Sequence, residues 1–232
     1  MWRKISFLAG FLGLFLGLSI CAYGQEIGKA DITLDEAKLK AGKLQIFVKE
    51  YSIQGKGVKK RAVGVILIDA PPTKVWEVLE DWDSMGEFVP SLEYYRTLQV
   101  IESSGEGLSK RALIAGRLSV PLFGVSYTLD VKFNKASLRQ DWQLVTKEKA
   151  DVYKKKGVDI KYPSAGLKNI EGFEYIEPYD GGGKTIYYYA PIVESSIPLP
   201  GFAERAIVKS TLPGYIGAIK KRVESGGTYK KQ

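Results

Sequence analysis

The sequence predicts an α+β fold: a curved antiparallel β-sheet wrapped around a long C-terminal α-helix. Three observations carry this. From Tyr94 onward, strand-like runs dominate, including "YYRTLQVIE", "VSYTLDVKF" and "KTIYYYAPIVE", separated by turn-rich breaks such as "SSGEG" and "YDGGGK". Within "VSYTLDVKF", Tyr127, Leu129, Val131 and Phe133 share one face and Ser126, Thr128, Asp130 and Lys132 the other, so the sheet reads as dry on one side and wet on the other. The chain then closes on a helix whose Val208, Leu212, Tyr215, Ile219 and Val223 form one stripe at helical spacing. A single long helix must therefore cover the dry face, and a curved sheet gripping one helix leaves room for a concave, apolar site.

The elements follow in order. "MWRK" and the apolar run "ISFLAGFLGLFLGLSI" end in small residues at Ala22 and Gly24, which reads as a secretory signal peptide over residues 1–24. Residues 25–60 are a lead-in with an extra strand. "TLDEAKLK" has capping-box spacing with Thr33 as cap and Glu36 three residues on. In "KLQIFVKEY", Leu44, Ile46 and Val48 alternate with polar neighbours as one strand face. After a glycine turn, "RAVGVILID" is its hairpin partner. "DAPPTKVWEVLEDWD" opens a helix capped by Asp69 or Ala70, with prolines where their missing N–H groups cost nothing and with Val75, Leu79 and Trp82 on one face. "SMGEFVPSL" is a short helical turn and a loop. The polar stretch "KEKADVYKKKGVDIKYPSAGLK" reads as a long loop or a short helix. Pro213 lies inside the terminal helix and is expected to bend or split it. Residues 61–225 make one domain, and 226–232, "GGTYKKQ", a flexible tail.

Composition narrows the chemistry. The 232 residues contain no histidine and one cysteine, Cys21, which falls inside the signal segment. Zinc sites and Ser-His or Cys-His catalysis are thereby excluded, and any catalysis falls to Asp, Glu, Lys or Tyr. No disulfide is expected in the mature chain, and no cofactor, metal or catalytic residue is assigned. Removal of Arg3 and Lys4 lowers the formal charge from +8 to +6. The basic clusters Lys56–Arg61, Lys154–Lys156 and Lys220–Arg222 fit solvated turns or anionic head groups, not nucleic acid. The glycine-rich "DGGGK" lacks a nucleotide-binding context and reads as a hairpin turn.

The stretch "VGVILIDAPPTKVWEVLEDWDSMGEFVPSLEYYRTLQVIE" resembles the opening of START-like, helix-grip (SRPBCC) domains of the polyketide cyclase/dehydrase and lipid transport group. "GFEYIEPYDGGGKTIYYYAPIVESSIPLPGF" with the terminal helix resembles that group's closing part, and the likeness covers about residues 61 to 224. The resemblance implies a helix-grip fold and a hydrophobic small-molecule or lipid ligand. A minority of the group are cofactor-independent cyclase or dehydratase-type enzymes. Together with the signal segment, it implies an exported, periplasmic, monomeric binding or transport protein touching the membrane peripherally.

Candidate ligand-binding residues fall into three groups. Aromatic and aliphatic residues assigned to the inner face are Trp82, Ile114, Leu118, Tyr127, Leu129, Trp142, Phe173, Tyr175 and Tyr188, with Phe133, Tyr187 and Tyr189 beside them; tyrosine supplies apolar area plus a hydroxyl that needs a partner when buried. Apolar loop residues assigned to a pocket mouth are Phe88, Val89, Leu92, Leu122 and Phe123, together with "IPLPGF". Arg111 and Glu174 are the charged residues assigned to a head group. A catalytic version would pair a buried carboxylate of raised pKa with a tyrosine donor.

Overall fold

The structure is a computed structural model that describes residues 32–53, 57–90, 92–105, 107–120, 123–195 and 201–232, with the side chains of 51–53, 57–59, 120, 123 and 201–210 outside the description. The signal segment 1–24 and the greasy loop positions Leu122 and 197–200 therefore lie outside the described residues, as does the Phe123 side chain.

Eight strands form one antiparallel sheet: β1 (Gln45–Ile53), β2 (Gly57–Ile68), β3 (Leu92–Ser104), β4 (Ser109–Val120), β5 (Phe123–Asn134), β6 (Arg139–Leu144), β7 (Leu167–Tyr179) and β8 (Lys184–Ser195). Their order is β1-β2-β8-β7-β6-β5-β4-β3. The hairpin β1–β2 thus joins the meander β3–β8 through the β2–β8 pairing, Gly64 opposite Tyr189 and Ile66 opposite Tyr187. Register shifts along β3, between Leu92 and Tyr94, Thr97 and Gln99, and Val100 and Glu102, are bulges, the device that bends an edge strand.

Between β2 and β3 the chain crosses the open end of the sheet through α2 (Pro72–Glu80), a 3-10 turn (Trp82–Ser84) and α3 (Met85–Phe88). The cap of α2 is Pro71 with Pro72 at the first helical position, one residue beyond Ala70 and two beyond Asp69, the expected caps. Those two are occupied elsewhere: the Asp69 N–H donates to Glu224 Oε1 (2.9 Å), and the Ala70 carbonyl accepts from Thr185 Oγ1 (2.7 Å). In the lead-in, α1 (Glu36–Lys40) is capped by Asp35, whose carboxylate accepts from the Lys38 N–H, not by Thr33.

The terminal helix α5 (Gly201–Glu224) runs through Pro213 as one element instead of splitting. Leu212 and Ile216, on either side of the proline, both bear on β2 at Gly64, so packing holds the helix together where a backbone hydrogen bond is missing. A Cβ at Gly64 would fall 2.3 Å from Ile216 Cδ1 and 2.8 Å from Leu212 Cδ2, which is why only glycine lets α5 lie this close to the sheet. The buried stripe is Leu212, Ile216, Ala218, Ile219 and Val223, with Tyr215 half-buried.

The far side of the sheet is wet only in part. On the concave face Ile66, Ile68, Ala112, Ile114, Leu129, Val131, Phe133 and Ile176 pack against α2, α3 and α5. The convex face is covered in two places. Ile32 and Leu39 of the lead-in cover Val63, Val65, Leu67, Phe173, Ile186 and Tyr188. The segment after β6 forms α4 (Lys147–Lys155), whose Ala150, with Ile160 beyond it, covers Leu113 and Val145. β1 therefore buries Phe47 against the convex cluster, while Ile46 and Val48, on the face read from the alternation, are 46% and 64% exposed.

The C-terminal residues do not fray. The Lys231 N–H donates to the Glu87 carbonyl (3.0 Å), Lys231 Nζ reaches the carbonyl of Leu92, and the Tyr229 carbonyl accepts from Arg222 Nη1 (2.8 Å). Lys230 adds an ion pair to Glu87 (3.2 Å).

Candidate functional site

Among the described residues, the concave face carries one ionisable carboxyl in its depth. β7 alternates Ile170, Gly172, Glu174 and Ile176 toward α5, which places a fully buried Glu174 among apolar neighbours. Trp82 Nε1 donates to Gln140 Oε1 (2.9 Å), and Gln140 Nε2 donates to Glu174 Oε1 (2.7 Å). The Tyr187 hydroxyl donates to Glu174 Oε2. The direction of this chain is dictated at its head, because an indole N–H can only donate. Gln140 must then present its oxygen to Trp82 and its amide to Glu174. Burial pushes the Glu174 carboxyl up to about 7, against the opposing pull of the Tyr187 and Gln140 hydrogen bonds.

Tyrosines converge on this carboxyl from several elements. Burial drives the phenols of Tyr95 on β3, Tyr187 and Tyr189 on β8, and Tyr215 on α5 well above the ordinary range, and the Glu174 charge adds to the shift of each. Tyr127 on β5 is likewise raised by burial. Tyr189 stacks between Tyr215 (4.3 Å) and Trp142 (5.6 Å). Two glycines make room for this aromatic floor. A Cβ on Gly116 would strike the Tyr127 ring lying across it (2.6 Å), and a Cβ on Gly172 would strike Trp142 (2.5 Å). Both are cross-strand pairs, Gly116 with Tyr127 and Gly172 with Trp142.

Tyr95, Tyr189, Tyr215 and Trp142 are desolvated or stacked, yet each keeps accessible surface, as do Leu118 and Val125 beside them. Among the described residues the hydroxyls of Tyr95, Tyr127 and Tyr189 have no hydrogen-bond partner, and none is among the sealed unpartnered atoms. Inward-facing phenols that retain surface and lack protein partners are what lines a ligand site. Among the described residues no three acidic or cysteine side chains gather in a way that would hold a metal ion, and no helix is long and apolar enough to cross a membrane.

The structure sorts the sequence-derived candidates by strand parity. Leu118, Tyr127, Trp142 and Glu174 come together at the site. Trp82 joins through Gln140 and packs edge-on to Phe133 (6.3 Å), while Ile114 and Leu129 are sealed in the adjoining core. Phe173, Tyr175 and Tyr188, expected on the inner face, lie on the convex one. Tyr175 stacks on Tyr188 (4.2 Å), and Arg139 and Arg61 flank the Phe173 ring at 4.3 and 5.2 Å. Arg111 is also convex, clamped on the buried Asp130 through Nε (2.8 Å) and Nη2 (2.7 Å). The assigned lip is core: Phe88, Val89 and Leu92 are buried, with Arg222 over the Phe88 ring (5.1 Å) and the C-terminal residues fastened beside them. Sequence reasoning did not assign Tyr95, Gln140 or Tyr215 to the site. Tyr95 sits on a strand whose side-chain direction depends on bulges, whereas the faces of Tyr215, on the helix stripe, and of Gln140, two before Trp142, were readable beforehand.

No family model and no curated protein matches the sequence. Solved structures do match the fold. A STAR-related lipid transfer protein from Xanthomonas axonopodis is 13% identical with a TM-score of 0.54, covering 78% of this chain and 93% of that one. A START superfamily protein from Mycobacterium smegmatis is 13% identical at a TM-score of 0.53, covering 71% and 97%. The Zhui aromatase/cyclase from Streptomyces sp. R1128 is 13% identical at a TM-score of 0.52, covering 78% and 94%. The chain has a START-like, helix-grip fold.

Proposed function

We propose that the protein binds a hydrophobic small molecule, a lipid first, inside the grip between sheet and α5, and carries or presents it at the cell envelope after export by its N-terminal segment. The observation that carries this reading is the set of inward tyrosine hydroxyls without partners among the described residues around one buried carboxyl. A wall of aromatic rings supplies the apolar contact, and a few convergent polar atoms supply orientation. The fold likeness to a lipid transfer protein and to an aromatase/cyclase is compatible with it, although fold alone does not set function.

A second reading draws on one observation. Glu174, raised to about 7 and bonded to Tyr187, is a proton donor and acceptor tuned near neutrality, which is what a cofactor-independent cyclase or dehydratase needs. Native mass spectrometry of the purified protein, followed by solvent extraction, tests both. A stoichiometric apolar ligand recovered unchanged supports carriage; recovery of a chemically altered compound after loading supports catalysis. A protein that is always empty and takes up no apolar ligand defeats both.

A further inference from the structure

We propose that the site takes molecules whose polar end is an uncharged hydroxyl or phenol and turns away those ending in a carboxylate or phosphate. This deepens the binding role above and rests on it. The groups that bond to Glu174 or feel its charge are Gln140 on β6, Tyr187 and Tyr189 on β8, Tyr95 on β3 and Tyr215 on α5. None carries positive charge.

Apart from Lys110, the described cations on the neighbouring elements are committed elsewhere, and the Arg205 and Lys209 side chains of α5 lie outside the description. Arg139 is bidentate on Asp141 on the convex face, and Arg111 is clamped on Asp130 there. Arg61 lies over Phe173. On α5, Lys220 holds the Leu67 carbonyl, and Arg222 reaches Tyr229 and lies over Phe88. Lys110 lies beside the network, over the Trp82 ring at 4.7 Å, with Trp82 and Gln140 between it and Glu174.

An anionic head group placed among these tyrosines would sit beside a second carboxylate in apolar, low-dielectric surroundings with no described counter-ion in contact with it, and like charges so placed oppose each other's ionisation strongly. A hydroxyl meets no such opposition. It can donate to a free lone pair on Glu174 or on a phenol oxygen and accept from a tyrosine O–H.

The test compares dodecanol with dodecanoic acid, equal in chain and different in charge, at pH about 8, where Glu174 is ionised. Binding is read by quenching of tryptophan fluorescence and by native mass spectrometry. The alcohol is expected to bind about tenfold or more tighter than the acid. Glu174→Gln should collapse that ratio toward one, chiefly by improving the acid. The variant keeps the network: its Oε1 still accepts from Gln140, and its amide donates to the Tyr187 hydroxyl. Equal binding of acid and alcohol by the unaltered protein overturns the selectivity and leaves the binding role standing. A ratio unchanged in a folded Glu174→Gln protein overturns the part assigned to Glu174. Failure of both compounds to bind overturns the binding role itself. Should the variant not fold, the comparison in the unaltered protein decides.

Discussion

Glu174 is where the chain departs most from what a core ordinarily tolerates. A carboxyl in a dry interior stays neutral unless its partners offset the lost hydration, and here burial outweighs two hydrogen bonds. The linkage has a definite sign. The group titrates at its ordinary 4.5 when unfolded and at about 7 when folded. The native state therefore holds the proton longer, and stability falls as pH rises between those values, by roughly 3 kcal/mol from this group alone. Glu174→Gln removes that slope. Thermal unfolding at pH 5 and pH 8 should show the variant gaining on the unaltered protein at the higher pH; parallel curves would dismiss the shifted titration. Glu174→Leu should lose stability at both pH values, because it strands the donors of Gln140 and Tyr187.

Elements meet in this fold where side chains have been withheld. α5 lies on β2 because Gly64 has no Cβ, and Trp142 lies on β7 because Gly172 has none. Gly172 is the stricter case, since its Cβ would also stand 2.8 Å from the Ala190 carbonyl, which cannot swing aside. Gly64→Val and Gly172→Val should each destabilise by about 1–3 kcal/mol, the usual penalty of overpacking. Gly214→Ala should have the opposite sign. Its Cβ meets nothing within 4 Å on a helical turn, and alanine is favoured over glycine there by up to about 1 kcal/mol. Denaturant midpoints of the three variants decide the point. A Gly64→Val protein as stable as its parent would mean that α5 is not seated as described.

At the scale of the whole molecule, the lead-in segment and the C-terminal residues act as covers. Ile32 and Leu39 shield one half of the convex face, and the C-terminal residues bind back over α3. Tyr229 packs against the main core, and Lys231 serves the Glu87 and Leu92 carbonyls. A chain ending at Ser225 should lose about 1–3 kcal/mol in urea unfolding, with its fold retained, since it forfeits one packed ring and several backbone bonds. Unchanged stability would return residues 226–232 to the status of a loose tail.

Much of this architecture was legible in the chain itself. The alternation of Tyr127, Leu129, Val131 and Phe133 specifies a buried strand face because side-chain direction in a strand has period two. The stripe through Leu212, Ile219 and Val223 specifies the gripped helix because its period is 3.6. The absence of histidine restricted the chemistry before any coordinates. Parity within one strand, however, does not say which face is inside. "GFEYIE" and "TIYYYA" offer aromatic residues to both sides, and pairing alone put Glu174, Tyr187 and Tyr189 inward and Phe173, Tyr175 and Tyr188 outward. Likewise, Phe88, Val89 and Leu92 look like an exposed lip until the C-terminus, more than a hundred residues away, is folded against them. Periodicity is a local property and is carried by the sequence. Which of two apolar faces is covered, and by what, depends on contacts between distant segments, and only the tertiary structure decides that.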